Sequence, residues 1–202
     1  MVGLEFSATW TWSKALDFAD GDTTVVARHA PLRAWNYGKA GFDRTHNLTF
    51  SYTWSIPKAS QRWNNLFAKQ VLDNWQLAGI SSFVSGAPLG IGFSTSDGAD
   101  IAGGGDGVRA VMLANPVLPK SERTFTRFFN TAAFGRPAVG TYGNAPKDVL
   151  RGPGINNWDL SLFKNFPLGK EARTLQLRWE LYNVWNHTQF SSVDTSARLT
   201  PD

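Results

Sequence analysis

The stretch HNLTFSYTWSIP, residues 46–57, alternates without an error over its first eleven positions. Leu48, Phe50, Tyr52, Trp54 and Ile56 share one parity, and Asn47, Thr49, Ser51, Thr53 and Ser55 share the other. In a strand these sets point to opposite faces, so one face is apolar and partly aromatic while the other is small and polar. A water-soluble sandwich buries such an apolar face in its core, whereas a membrane barrel turns it to lipid and keeps the polar face on water.

The pattern recurs. Leu4, Phe6, Ala8, Trp10 and Trp12 alternate with Glu5, Ser7, Thr9 and Thr11; Trp158, Leu160 and Leu162 with Asn157, Asp159 and Ser161; Leu175, Leu177, Trp179 and Leu181 with Thr174, Gln176, Arg178 and Glu180. A fifth segment, WQLAGISSFVSG from Trp75 to Gly86, sets Trp75, Leu77, Gly79, Ser81 and Phe83 against Gln76, Ala78, Ile80, Ser82 and Val84. These lengths suit strands of about 9–11 residues crossing a bilayer at a tilt, with their wide rings toward the strand ends as an interfacial girdle requires. Connections alternate between long (Ser13 to Thr45, Ala87 to Asn156) and short (Pro57 to Asn74, Pro167 to Arg173). The fold class predicted is therefore all-β: an antiparallel meander of about five to six long strands, a fragment of a transmembrane β-barrel, with one short helix in a turn. With short turns periplasmic, strands 2–12, 75–86 and 174–186 run outward and 46–56 and 157–166 run inward, and an outer loop begins at His187.

Composition agrees. In 202 residues charged side chains make up 18%, below the roughly 25% of globular domains, while Trp (9) and Phe (14) are abundant. The absence of cysteine excludes a disulfide framework and thiol chemistry. Net charge is +4, with Lys and Arg scattered and not gathered in a phosphate-tracking stripe, so no nucleic-acid partner is expected. Residues 74–96 carry no charge, yet five serines and Gly79, Gly86, Pro88, Gly90 and Gly92 rule them out as a spanning helix. Met1 runs straight into the alternating segment VGLEFSATWTW without the basic and apolar regions of a signal peptide.

In the 57–74 connection, Ser60 is the expected N-cap of a short amphipathic helix carrying Trp63, Leu66, Phe67 and Val71 on one face, an ordinary packed turn helix beside the barrel rim. Gly86 to Gly107 is glycine-rich without the Lys-Ser/Thr ending of a phosphate cradle, and reads as a flexible outer loop. His29, His46 and His187 lack metal-site spacing, and no G-x-S-x-G elbow is present, so neither a metal site, a cofactor nor an enzyme is expected. Asp159 and Glu180, beside Arg178, belong to neighbouring polar faces and are expected to meet across strands. They read as a charged ladder lining a hydrated lumen in preference to a glycosidase acid and base. The sequons at Asn47 and Asn186 are assigned to chance. The candidate lumen-facing polar residues are Glu5, Asn47, Asp159, Arg178 and Glu180, with loop residues 87–156 as substrate contacts. The alternative is a soluble all-β binding or adhesion module, although the regular 8–12-residue strand rhythm of such modules is missing.

One long block resembles a known family. RGPGINNWDLSLFKNFPLGKEARTLQLRWELYNVWNHTQFSSVDTSARL, Arg151 to Leu199, is similar to the C-terminal barrel region of Oar-like TonB-dependent outer-membrane receptors, the group that carries a carboxypeptidase-regulatory-like domain. FDRTHNLTFSYTWSIP from Phe42, NWQLAGISSFVSGAPL from Asn74 and FFNTAAFGRPAVGTYGN from Phe128 share the likeness. The resemblance implies an energised importer in the cell outer membrane, taking a bulky nutrient such as a glycan, peptide or metal chelate through a plug-gated barrel. Its partners would be outer-membrane lipid, the substrate, and the TonB complex through parts of the parent. On this reading residues 1–202 form a partial barrel domain, the C-terminal portion lacking the plug and the final strand. An open five-stranded wall cannot close in lipid, since known bacterial barrels start at about 8 strands.

Overall fold

The computed structural model describes residues 3–20, 30–62, 65–103, 108–169 and 173–201. The chain divides into two compact units, one of residues 1–12, 46–84 and 155–189, the other of residues 13–45, 85–154 and 190–202.

The first unit is a five-stranded antiparallel sheet: β1 (Gly3–Trp12), β2 (His46–Ser55), β3 (Trp75–Val84), β4 (Ile155–Pro167) and β5 (Thr174–Leu181). Its order follows the chain, as the meander predicted, and the sheet stays open with β1 and β5 at its edges. Every strand carries the expected alternation, and the register aligns it across the sheet. Glu5, Thr53, Ala78, Ser161 and Glu180 form one row; the next row, on the opposite face, is Leu4, Trp54, Leu77, Leu162 and Trp179. The aromatic face has a recess at Gly79, where an added Cβ would meet the Tyr52 ring at 2.6 Å, so the glycine exists to seat that ring. Rows end where the chain turns. The last strand, expected to reach residue 186, stops at Leu181 because Asn183 (φ 49°) and Asn186 (φ 50°) enter the left-handed region. The Asn183 side chain holds that turn by accepting the His187 N–H (2.9 Å) and donating to the His187 carbonyl (2.8 Å).

The connection between β2 and β3 holds a 3₁₀ turn, Ala59–Arg62, and a helix, Leu66–Leu72. The helix is capped by Asn65, whose Oδ1 accepts the Ala68 N–H at 2.6 Å, and not by Ser60 as expected. Ser60 is committed elsewhere: its hydroxyl and its N–H both donate to the buried Asp73 carboxylate, at 2.6 and 2.9 Å. Nor is the apolar side packed: Ala68 is the buried residue, while Leu66 and Phe67 are 82% and 78% exposed. Trp63, read as part of that face, lies outside the described residues.

The second unit gathers the long connections around a small core of Ala110, Ala133 and Phe134, packed by Ile91, Phe93, Phe129, Val149 and Leu199. Two-residue ladders join Pro88–Leu89 to Leu150–Arg151, Val111–Met112 to Phe134–Gly135, and Leu16–Asp17 to Gly38–Lys39. Gly92–Thr95 pairs in parallel with Ser196–Leu199. The Gly86–Gly107 segment is thus tied at both Pro88–Leu89 and Gly92–Thr95 instead of forming a free loop. Its first glycine has a packing reason, because a Cβ at Gly86 would strike the Gly152 carbonyl at 1.9 Å.

Candidate functional site

The polar face of the sheet brings the predicted residues to one side. Glu5 heads its row on edge strand β1, Asn47 stands between Thr11 and Val84, and Asp159 lies opposite Ile80. Arg178 is opposite Phe163, with its guanidinium 4.9 Å from the ring centre, and Glu180 is opposite Ser161. Because the register sets Phe163 and Ser161 against them, Arg178 and Glu180 pair along their own strand, Nη1 to Oε1 at 3.3 Å, and the expected cross-strand meeting with Asp159 does not occur. Asp159 instead accepts the Asn183 N–H at 2.9 Å, and Glu180 also accepts the Tyr182 hydroxyl at 3.1 Å. The cross-strand polar contact lies one step further along, where Gln176 donates to Asn165 at 2.9 Å. Both members of the Arg178–Glu180 pair are exposed, so it adds little stability.

The opposite face carries rings along its whole length. Trp10, Trp12, Phe83 and Trp158 lie toward the end where the long connections leave, with Phe83 and Trp158 edge to face at 5.5 Å; Trp54, Trp75, Trp179 and Phe166 lie toward the short-turn end, with Trp75 and Trp179 stacked at 6.0 Å. The middle rows are mixed, Ala8, Phe50, Ser81 and Trp158 forming one and Phe6, Tyr52, Gly79 and Leu160 the next, with the Phe6 and Phe50 rings 6.1 Å apart. Tryptophans are weighted toward the two ends of this face, the distribution expected of an interfacial girdle. One charge interrupts it. Lys164 sits on the aromatic face, 2% exposed, with its ammonium 5.3 Å from the Trp75 ring and 5.1 Å from Phe166, donating to the Asp73 carbonyl. The parity of Leu160, Leu162, Lys164 and Phe166 was the signal that would have found it.

In the second unit charge is handled by burial and pairing. The Asp43 side chain is wholly inaccessible and receives Arg151 at 2.5 Å and the Ala15 N–H at 2.7 Å, while Arg151 also donates to the Gly86 carbonyl at 2.9 Å. Burial pushes the Asp43 carboxyl up, but the Ala15 N–H and Arg151 outweigh it and hold the group below its ordinary range. Lys147 bridges Asp17 (2.5 Å) and Asp20 (3.4 Å), and burial raises the neighbouring Asp148. Arg136 reaches Asp97 at 3.0 Å and lowers its carboxyl. A cavity of about 460 Å³ opens within this unit, lined by Phe125 to Phe129 and Val193 to Leu199 among others. It overlaps the 87–156 segment expected to touch substrate. Phe125 at its edge is 87% exposed and meets Phe190 at 5.9 Å.

Among the described residues no cluster of three or more His, Asp or Glu suits a metal ion, and no helix is long and apolar enough to cross a membrane. His29 lies outside the described residues. A family model described as an outer membrane beta barrel domain matches residues 2–200. No curated protein and no solved structure matches the chain.

Proposed function

We propose, from the premise that this chain belongs to the outer membrane beta barrel domain family and resides in the cell outer membrane, that its sheet is a wall segment of a TonB-dependent receptor importing a bulky nutrient. The observation that carries this reading is the register: one row of Glu5, Thr53, Ala78, Ser161 and Glu180 beside an opposite-facing row of Leu4, Trp54, Leu77, Leu162 and Trp179. The first face lines a hydrated lumen and the ringed face meets lipid. In hydrocarbon each unpaired backbone group on the open edges of β1 and β5 costs several kcal/mol, so further strands of the parent flank this wall. The long connections, with the cavity between Phe125 and Leu199, face outward and meet a glycan, peptide or metal chelate. Covalent chemistry has no part in this reading, since Asp159 is engaged by the Asn183 N–H and Glu180 by Arg178 and Tyr182. The soluble-module alternative lacks support beside an outer-membrane family.

The chain contains no cysteine, so single introduced cysteines can be read cleanly. In outer-membrane preparations a membrane-impermeant maleimide should label Thr49→Cys and Ser161→Cys and spare Phe50→Cys and Leu162→Cys. Equal labelling of both pairs removes the lumen and lipid assignment. Energised import predicts that a protonophore abolishes uptake while surface binding persists; uptake that survives it reduces the reading to passive diffusion.

A further inference from the structure

The connection between β2 and β3 carries an apolar surface that nothing in its own unit covers. Leu66, Phe67 and Val71 are 82%, 78% and 43% exposed and share one arc of the helix Leu66–Leu72, while Ala68 turns inward. Three observations say what covers it. First, the helix is fastened to the ringed face of the sheet: the Trp75 indole donates to the Val71 carbonyl at 2.8 Å, and Lys164, buried among the rings of that same face, donates to the Asp73 carbonyl. The helix is therefore anchored at the short-turn end of the ringed face, where Trp75 stacks on Trp179. Second, the charge is one-sided. Asp73 is the sole acid between residues 56 and 74, and it is buried and consumed by Ser60, whereas Lys58, Arg62 and Lys69 are exposed. Third, the helix is amphipathic and only seven residues long, with Lys69 and Gln70 as its polar residues beside the exposed Leu66, Phe67 and Val71, too short to cross a bilayer and suited to an interface.

The geometry points to a monotopic membrane contact: the helix Leu66–Leu72 lies in the leaflet at the short-turn end of the barrel, with Leu66, Phe67 and Val71 in the headgroup–acyl boundary and Lys58, Arg62 and Lys69 on anionic phospholipid headgroups. This rests on the reading that the ringed sheet face meets lipid. Burial of such an arc reaches about 5–10 Å below the headgroups, with added attraction to anionic lipid. Lys164 and Asp73 act as positioning residues, holding the helix at the short-turn end of the ringed face.

The test uses the parent barrel that carries this chain, any cysteines of its own replaced, reconstituted into phosphatidylcholine vesicles with and without a minority of phosphatidylglycerol. An environment-sensitive maleimide dye is placed at Phe67→Cys on the arc, at Lys69→Cys on the other flank and at Leu177→Cys on the ringed sheet face, against nitroxide quenchers at the headgroup or near the chain ends. Phe67 is exposed, so its replacement leaves the fold intact. The inference expects a blue-shifted Phe67 dye quenched more by the headgroup nitroxide than by the deep one, a Lys69 dye quenched by the headgroup nitroxide and not by the deep one, and weaker Phe67 quenching when phosphatidylglycerol is left out. A Leu177 dye untouched by either nitroxide overturns the sheet reading itself. With Leu177 quenched, a water-exposed Phe67 dye overturns the helix contact, and a blue-shifted but unquenched one assigns the arc to a protein partner instead. Phe67 quenching unchanged without phosphatidylglycerol overturns the anionic recognition.

Discussion

The sheet and the unit built from the long connections are held by different physics. In the sheet, β1 and β5 are exposed along their whole lengths, and Phe6, Trp10 and Trp12 are about two-thirds exposed. Its order comes from continuous backbone ladders, and its large side chains are left uncovered. In the connection unit the ladders are two to four residues long, and order comes from a small core around Phe134 and from carboxylates clasped by cations. Of the eight described tryptophans seven belong to the sheet unit, and Trp35 alone to the other, where Arg109 lies 4.6 Å over its ring. One chain thus contains a sheet that leaves its rings uncovered and a second unit that covers its own, and on the proposed reading lipid is what the sheet awaits. The lesson is that exposure of rings is a defect in one region and the working surface of the other.

The largest effect expected from breaking this contrast is at Asp43. Removing the carboxylate in Asp43→Ala takes the counter-ion from Arg151, which keeps its bonds to the Gly86 carbonyl and the Thr45 hydroxyl, and leaves the Ala15 N–H without its acceptor. Loss of one partner of a buried pair costs about 3 kcal/mol, the lower end of the usual range because Arg151 keeps part of its guanidinium in water. Amides of the connection unit should then exchange hydrogen roughly a hundredfold faster, with those of β1 to β5 unchanged. Equal acceleration in both regions would show that the two stand or fall together.

Acid should separate the regions less completely. Burial raises the carboxyls of Asp20 and Asp43, but N–H donors and the cations Lys147 and Arg151 outweigh it, and Arg136 lowers Asp97. Carboxyls depressed in the folded state stabilise above their unfolded value, near 4, and lose that contribution as pH falls through the folded one. Asp148 has the opposite sign: burial raises it, so its contribution is complete below the unfolded value and fades as pH climbs through the folded one. Hydrogen exchange corrected for intrinsic rates should show the connection unit loosening below about pH 4 while the sheet ladders hold. The loss is smaller than for Asp43→Ala because a protonated carboxyl keeps an accepting oxygen. A sheet that loosens first reverses the assignment.

The same contrast decides what could be read beforehand. Strands β1 to β4 were legible to within two residues because period-two alternation encodes the pleat directly, and the common face of Glu5, Asn47, Asp159, Arg178 and Glu180 follows from parity alone. Which polar groups touch was not legible, since register is set by turns, and it put Phe163 opposite Arg178. The connection unit looks like loop in the sequence because Ile91, Ala110, Phe134 and Leu199 meet only after chain closure and leave no periodic trace. Lys164 was passed over because a charge ended the alternating run one step early. The helix Leu66–Leu72 was found with the wrong cap, since Ser60 and Asn65 are both good caps and only the fold shows that Asp73 claims the serine.

That cap gives the smallest and most local effect. A seven-residue helix is too short to persist by propensity, so it depends on its terminal hydrogen bonds and on the fastening of Trp75 to Val71. Asn65→Ala removes the acceptor of the Ala68 N–H and should cost about 1 kcal/mol, speeding exchange across Leu66–Leu72 roughly fivefold. Asn65→Asp should restore protection, since it keeps the acceptor and sets a negative charge at the helix N-terminus. The connection unit should not respond to either change. If β2 and β3 loosen along with the helix in Asn65→Ala, the turn is a structural brace of the sheet and the ladders do not stand unaided; if only the helix responds, the one segment of the sheet unit stabilised by capping is independent of the strands it joins.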